Sequence, residues 1–264
     1  VNTLTLSNSL VGNYAINNNL IIPSGSNIFF QGNIVFAPNV KVSVSSSATL
    51  QIKDSHLYAC QNAMWQGIDV GGNLICYNAN SDNLIEDAIT ALNSSYANIS
   101  ITNTTFNKNY IDISISNYNT TSDFPISLKN SVFTCRNFTY NNTSWPQTNT
   151  SSTGLRYASS STAGLSAPYS LQNFSITTLK PPYSGIPSQT AIKLTNVGLT
   201  NTTTAYGITI GDYNAVGNFN LFDAHNTFID ALNTNLNSYN NAFQNTQYSM
   251  VGAFSSGIRN YNNV

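Results

Sequence analysis

The chain has 264 residues, only 7% of them charged, and a formal net charge of −1. Recruiting nucleic acid or an anionic membrane surface needs a basic excess, so this composition excludes both as electrostatic partners. No run approaches the roughly 18 apolar residues of a membrane-spanning helix, and solubility falls to abundant Asn, Ser and Thr.

From the first residues onward one pattern recurs: apolar, any, apolar, any, Asn, any, any, apolar. In chain order it reads Leu4 to Asn8 and Val11, Leu50 to Asp54 and Leu57, Ile99 to Asn103 and Phe106, and Ile126 to Asn130 and Phe133. It continues as Tyr169 to Asn173 and Ile176, Ile192 to Asn196 and Leu199, Asn214 to Asn218 and Leu221, and Leu236 to Asn240 and Phe243. Weaker copies centre on Gly32, Asn78 and Asn262. Alternation closed by a turn residue, repeated at this length, predicts a solenoid of short strands.

A second beat falls at Ile22, Val44, Ile68, Ile89 and Ile111, and again at Ile208, Ile229 and Val251. Each is expected to point inward from a first strand, with its successor outward. The apolar residue three after the Asn opens a third strand. Three strands per coil, each stacked in parallel on its counterpart, make a three-walled tube. The Asn position is expected in a left-handed turn, which Asn, Asp and Gly tolerate best. Its amides would stack from coil to coil, with Asn103, Asn130, Asn196, Asn218 and Asn240 in one column.

This pattern resembles the right-handed single-stranded parallel β-helix, the fold of pectate lyases and polygalacturonases, with its Asn ladder. The resemblance covers the whole chain. It predicts an all-β solenoid of about 10–11 coils, one domain over residues 1–264. The phrases Gly32 to Val40 and Ala59 to Ile68 also resemble secreted β-helix regions of Bacteroidetes surface proteins. With no signal peptide, and with repeats starting at Val1 and stopping abruptly at Val264, the chain reads as a monomeric piece of a longer secreted, multidomain protein.

Loops rich in Asn, Ser and Thr are expected at 116–124, 134–153 and 158–168, bordering the first wall. In the resembling enzymes the substrate groove runs along this wall. Its outward residues, rung by rung, read Ser43, Asp69, Thr90, Asp112, Arg156, Pro187, Thr209 and Asp230. Asp69 and Asp112 would stand two rungs apart, about 9–10 Å, near the upper end for an inverting carboxylate pair. Arg156 would neighbour Asp112. The polygalacturonase pattern of clustered Asp with Gly-His-Gly and Arg-x-Lys is absent, and the calcium-binding Asp cluster of pectate lyases is not evident. No cofactor is implied; calcium is left open without a supporting motif.

Three cysteines make no disulfide framework; Cys60, Cys76 and Cys135 read as thiols on different walls. His56 and His225 lie in distant coils and read as turn residues. Asn-x-Ser/Thr matches, at Asn93, Asn119, Asn137 and Asn201 among others, follow from composition, since Asn103 and Asn173 match too and belong to the ladder.

Two functions fit. The first is a non-catalytic, secreted or cell-surface module that contacts polysaccharide or another extracellular surface. Thr90, Asp112 and Arg156 are its candidate ligand contacts, and Trp65, Tyr110, Trp145 and Tyr157 its candidate sugar platforms. The second is a polysaccharide lyase or glycoside hydrolase that uses Asp69, Asp112 and Arg156 on the same wall.

Overall fold

Apolar residues at every second position can be buried only if each short segment lies flat on a shared interior. The chain does this with strands alone; the described residues contain no helix. The structure is a computed structural model that describes residues 2–60, 64–117, 126–135, 188–197, 208–211, 220–223, 225–244, 248–253 and 257–261. The strands pair in parallel with the next coil, giving a β-solenoid with three walls.

The first wall is a nine-stranded sheet. Its order is β1 (Thr3–Thr5), β3 (Asn19–Ile22), β5 (Lys41–Val44), β7 (Gly67–Val70), β10 (Thr90–Ser94), β13 (Ile111–Ser116), β16 (Ser188–Thr195), β19 (His225–Leu232) and β22 (Tyr248–Ala253). Three long strands, β2 (Leu10–Ile16), β4 (Asn27–Phe36) and β6 (Thr49–Ala59), run across the other two walls. Beyond them the walls separate. The second carries β8 (Asn73–Tyr77), β11 (Asn98–Thr102) and β14 (Ile126–Lys129), then β17 (Ile208–Ile210), β20 (Asn235–Tyr239) and β23 (Gly257–Tyr261). The third carries β9 (Asn83–Glu86), β12 (Thr104–Asn107), β15 (Val132–Thr134), β18 (Asn220–Asp223) and β21 (Asn241–Gln244).

All three corners are turned by residues with positive φ. Between third and first walls these are Asn39 (φ 67°), Asp87 (φ 60°) and Lys108 (φ 54°). Between first and second they include Ser47 (φ 62°), Asn117 (φ 54°), Asn196 (φ 56°) and Asn233 (φ 50°). Between second and third stand Asp54 (φ 48°), Asn103 (φ 51°), Asn130 (φ 51°) and Asn240 (φ 51°). Asn and Asp dominate because a short polar side chain tolerates this conformation. In the earliest coils glycine does the same work: a Cβ on Gly32, at φ 108°, would lie 2.3 Å from the Gly12 carbonyl oxygen.

The Asn ladder therefore exists, as two columns. One joins Asn78, Asn103 and Asn130: Asn103 Nδ2 donates to Asn78 Oδ1 at 2.6 Å, and Asn130 Nδ2 donates to Asn103 Oδ1. The other joins Asn117, Asn196 and Asn233 at a different corner, through donated bonds of 3.0 and 2.9 Å. Asn196 thus leaves the column expected for it. Ile192 and Leu194 pair with Ile113 and Ile115 on the first wall, as Leu4 pairs with Leu20. Ile208, expected on the first wall, pairs with Leu236 on the second. The motif marks a strand followed by a left-handed corner, and two corners satisfy it equally. Among the described residues the first wall holds nine strands. Asn173, Asn218 and Asn262 lie outside the described residues.

Inside, a stack of rings runs along the third wall, Phe106 on Phe133 at 5.1 Å and Phe133 on Phe222 at 4.7 Å, each pair within 6° of parallel. Such offset pairs add to their burial. The other face of this wall is covered too, with Leu84, Thr105, Val132 and Leu221 all buried. Cys76 and Cys135 are buried free thiols and Cys60 an exposed one.

The ladder's contribution can be separated from that of the turn. Asn103→Gly keeps the left-handed turn and loses the amide, so it is expected to cost about 1–3 kcal/mol. Asn103→Leu adds backbone strain of about 1–2 kcal/mol. Denaturant unfolding of both variants checks the order; equal stability of Asn103→Gly and the parent would contradict the ladder's role.

Candidate functional site

Parallel register aligns one outward residue per coil on the first wall. The row reads Ile21, Ser43, Asp69, Asn93, Ser114, Lys193 and Asp230. Adjacent members stand about 4.8 Å apart, the spacing of paired strands. Lys41 Nζ lies 2.7 Å from Asp69 Oδ2, and Asn93 Nδ2 donates to Asp69 Oδ1 at 3.1 Å. The ion pair is about two-fifths exposed on both sides, so it orders the row more than it stabilises the fold. Beside it lies a shallow depression lined by Ser43, Ser45, Asp69, Gly71, Asn93 and Ser95.

Ser43, Asp69 and Asp230 thus occupy the row as expected. Thr90 does not; it is half-buried and aligns with Ile111. Thr209 belongs to β17 on the second wall. Asp112 is the main correction, since it is fully buried. Five of the described first-wall strands carry consecutive buried residues: Gly67–Ile68, Ala91–Leu92, Asp112–Ile113, Thr190 to Ile192, and Phe228–Ile229. This break in alternation turns Asp112 inward, leaves Ile111 only half-buried and makes Ile113 the inward residue. Asp69 and Asp112 consequently lie on opposite sides of the wall and form no carboxylate pair. Trp65 is also buried, stacked on Phe36 at 4.1 Å with its indole N–H donating to the Glu86 carbonyl at 2.9 Å. It offers no face to a sugar. Tyr110 is half-buried, and burial pushes its phenol pKa up. Trp145, Arg156, Tyr157 and Pro187 lie outside the described residues, with nearly all of the three expected loops.

Asp112 has a partner that periodicity could not reveal. His225 Nε2 lies 2.8 Å from its Oδ2, both side chains fully buried, and Asn109 Nδ2 donates to its Oδ1 at 2.9 Å. Asp112 stands on β13 and His225 on β19, with β16 between them. The intervening strand sets Ala191 level with Asp112, bracketed by the Ile111–Thr190 and Ile113–Ile192 pairs. Burial pushes the Asp112 carboxyl above its usual range, and His225 and Asn109 oppose that shift. His225 is a core residue and not a turn residue.

A second cluster surrounds Glu86. His56 Nε2 approaches Glu86 Oε1 at 2.7 Å, Asn107 Nδ2 donates to Oε2 at 2.9 Å, and Lys108 Nζ stands 3.6 Å away. Burial alone would raise this carboxyl, yet the His56 bond and the charges of Lys108 and His56 hold it below the usual range. His56 also stacks on Tyr58 at 4.2 Å. The spacing of these residues along the chain gives no hint of the cluster; only the coil register brings it together. Among the described residues no group of three or more His, Cys, Asp or Glu is placed to hold a metal ion.

No protein-family model, curated protein or solved structure matches this chain. Its parallel β-solenoid is therefore established by its own register, and kinship with pectate lyases or with Bacteroidetes surface proteins gains no support from sequence comparison.

The buried pair makes an asymmetric prediction. His225→Ala strands an uncompensated carboxylate in the core and should cost about 3–5 kcal/mol, whereas Asp112→Asn keeps the shape without the charge and should cost far less. Denaturant midpoints at neutral pH check this; equal losses would show that Asp112 is not held ionised by its histidine.

Proposed function

We propose that this chain is a non-catalytic, secreted or cell-surface module that contacts extracellular polysaccharide along the outer face of its first wall. The observation carrying this reading is the in-register row from Ser43 to Asp230, a line of hydroxyl, amide and charged groups repeated at rung spacing. A polymer of hydroxylated units can meet such a row at several points at once, which multiplies weak contacts by effective concentration. The charges on the row have opposite neighbours: Asp69 is met by Lys41 from the strand before it, and Lys193 stands beside Asp230. The low overall charge agrees with contact through hydrogen bonds more than through ionic attraction.

The burial of Asp112 weighs against the lyase or hydrolase reading, because it removes one of that reading's two carboxylates from the wall. Catalysis by Asp69 and Arg156 alone would have to find another acid or base.

A panel of soluble neutral and uronic-acid polysaccharides, assayed for binding and for chain shortening, tests this. Binding without shortening is expected. Asn93→Ala should weaken it several-fold while leaving stability within about 0.5 kcal/mol, as is usual for an exposed change. Release of shortened chains would contradict the non-catalytic reading, and a wild-type chain that binds no glycan would contradict the reading as a whole.

A further inference from the structure

Within the first-wall row, Asp69 is bonded from both sides. Lys41 Nζ reaches its Oδ2 from the coil before, and Asn93 Nδ2 donates to its Oδ1 at 3.1 Å from the coil after. A carboxylate offers about four lone-pair sites, a carboxamide two N–H groups and two acceptor sites, and an ammonium three donors. Among the described residues these three side chains make no other bonds. An acceptor site therefore remains on each Asp69 oxygen, an N–H and the carbonyl oxygen on Asn93, and two N–H groups on Lys41.

This capacity faces solvent. Asn93 is exposed, and with Asp69 it lines the shallow first-wall depression. Ser45, Gly71 and Ser95 continue that lining, each one residue beyond the aligned Val44, Val70 and Ser94. The middle coil thus places no side chain between two serines. The decisive pair is Asp69 Oδ1 and Asn93 Nδ2, an acceptor and a donor held 3.1 Å apart, each with a site still open. Two hydroxyls on neighbouring carbons of a sugar ring keep a similar spacing. One can donate to the carboxylate while the other accepts from the amide. Hydroxyls separated by a further carbon stand too far apart to meet both. The exposed ion pair adds little to the fold, so stability does not account for the arrangement. Because both side chains are tied beforehand, a ligand orders little that was loose.

The geometry points to a subsite for a vicinal diol at Asp69 and Asn93. Its ligand is a polysaccharide that keeps two adjacent hydroxyls free on each ring, as chains linked at position four do and chains linked at position three do not. This rests on the polysaccharide reading above and names the sugar chemistry that the wall selects.

Isothermal titration of the whole chain with long soluble glucans, mannans, galactans and xylans of both linkages tests this; chain length keeps terminal rings negligible. Wild type should bind a four-linked polymer about tenfold more tightly than its three-linked counterpart. Asp69→Ala and Asn93→Ala should each bring that ratio close to one at an unchanged melting temperature. Asn93→Asp keeps the shape but puts an acceptor where the N–H was, and should lose the preference as Asn93→Ala does. Equal binding of both linkages by wild type, or a preference that survives both alanine variants, would overturn the diol subsite and leave the first-wall reading standing. No binding of either linkage would overturn both.

Discussion

A solenoid satisfies its backbone along the flat walls, where each strand pairs with the coil before and after. The corners are the difficulty, because a buried N–H left there without a partner costs about 1–3 kcal/mol. This chain meets that constraint with side chains from the next coil. Asn83 Oδ1 accepts from the Ser55 N–H at 3.0 Å, Asn109 Oδ1 from Ala88 at 2.8 Å, and Asn220 Oδ1 from Ser131 at 2.9 Å. Thr234 Oγ1 does the same for Val197 at 3.4 Å. Each donor follows a residue that turns the corner, and each acceptor sits buried one coil on. The left-handed turn and the inward polar residue after it are one device, used at all three corners.

Much follows from it. The device leaves outward positions of the walls free to vary, so a row such as Ser43 to Asp230 can be shaped by use and not by folding. It also makes the interior less purely apolar than alternation alone implies. Asp54 shows the device adapted: its carboxylate accepts from the backbone N–H groups of Ala79, Asn80 and Ser81 at 2.7 to 3.2 Å. Partial burial opposes ionisation there, yet those bonds hold the carboxyl below its ordinary range. A lowered folded pKa means that this contribution is present above the unfolded value and fades as pH falls through the folded one.

The fold was legible because alternation and left-handed turn residues both leave marks at fixed spacing. Wall assignment was less so. Leu4 to Asn8 and Ile192 to Asn196 carry the same marks as Ile99 to Asn103, yet they end a different wall. Nothing in a five-residue window distinguishes two corners that use the same turn. The site suffered from the same blindness. Asp112 was read as outward because strict alternation places it there, and the doubled inward pair Asp112–Ile113 leaves no sequence signal apart from a polar residue between isoleucines. Its partner His225 lies 113 positions away, so the pair exists only through the register of β13, β16 and β19. Asp69 and Asp230 were placed correctly because in their strands the doubled buried pairs, Gly67–Ile68 and Phe228–Ile229, end on the isoleucine that precedes them.

Register is therefore the claim on which fold and site both stand, and a disulfide trap reads it most directly. In a chain with Cys60→Ser, two pairs can be compared: Ser114→Cys with Lys193→Cys, and Ser127→Cys with Lys193→Cys. Ser114 and Lys193 are aligned neighbours on the first wall, within the roughly 4.4–6.8 Å Cα separation a disulfide accepts. Stacking Asn196 over Asn130 would instead place Lys193 beside Ser127. Mild oxidation followed by peptide mapping should show the first pair bridged and the second reduced; bridging of the second alone would contradict the account.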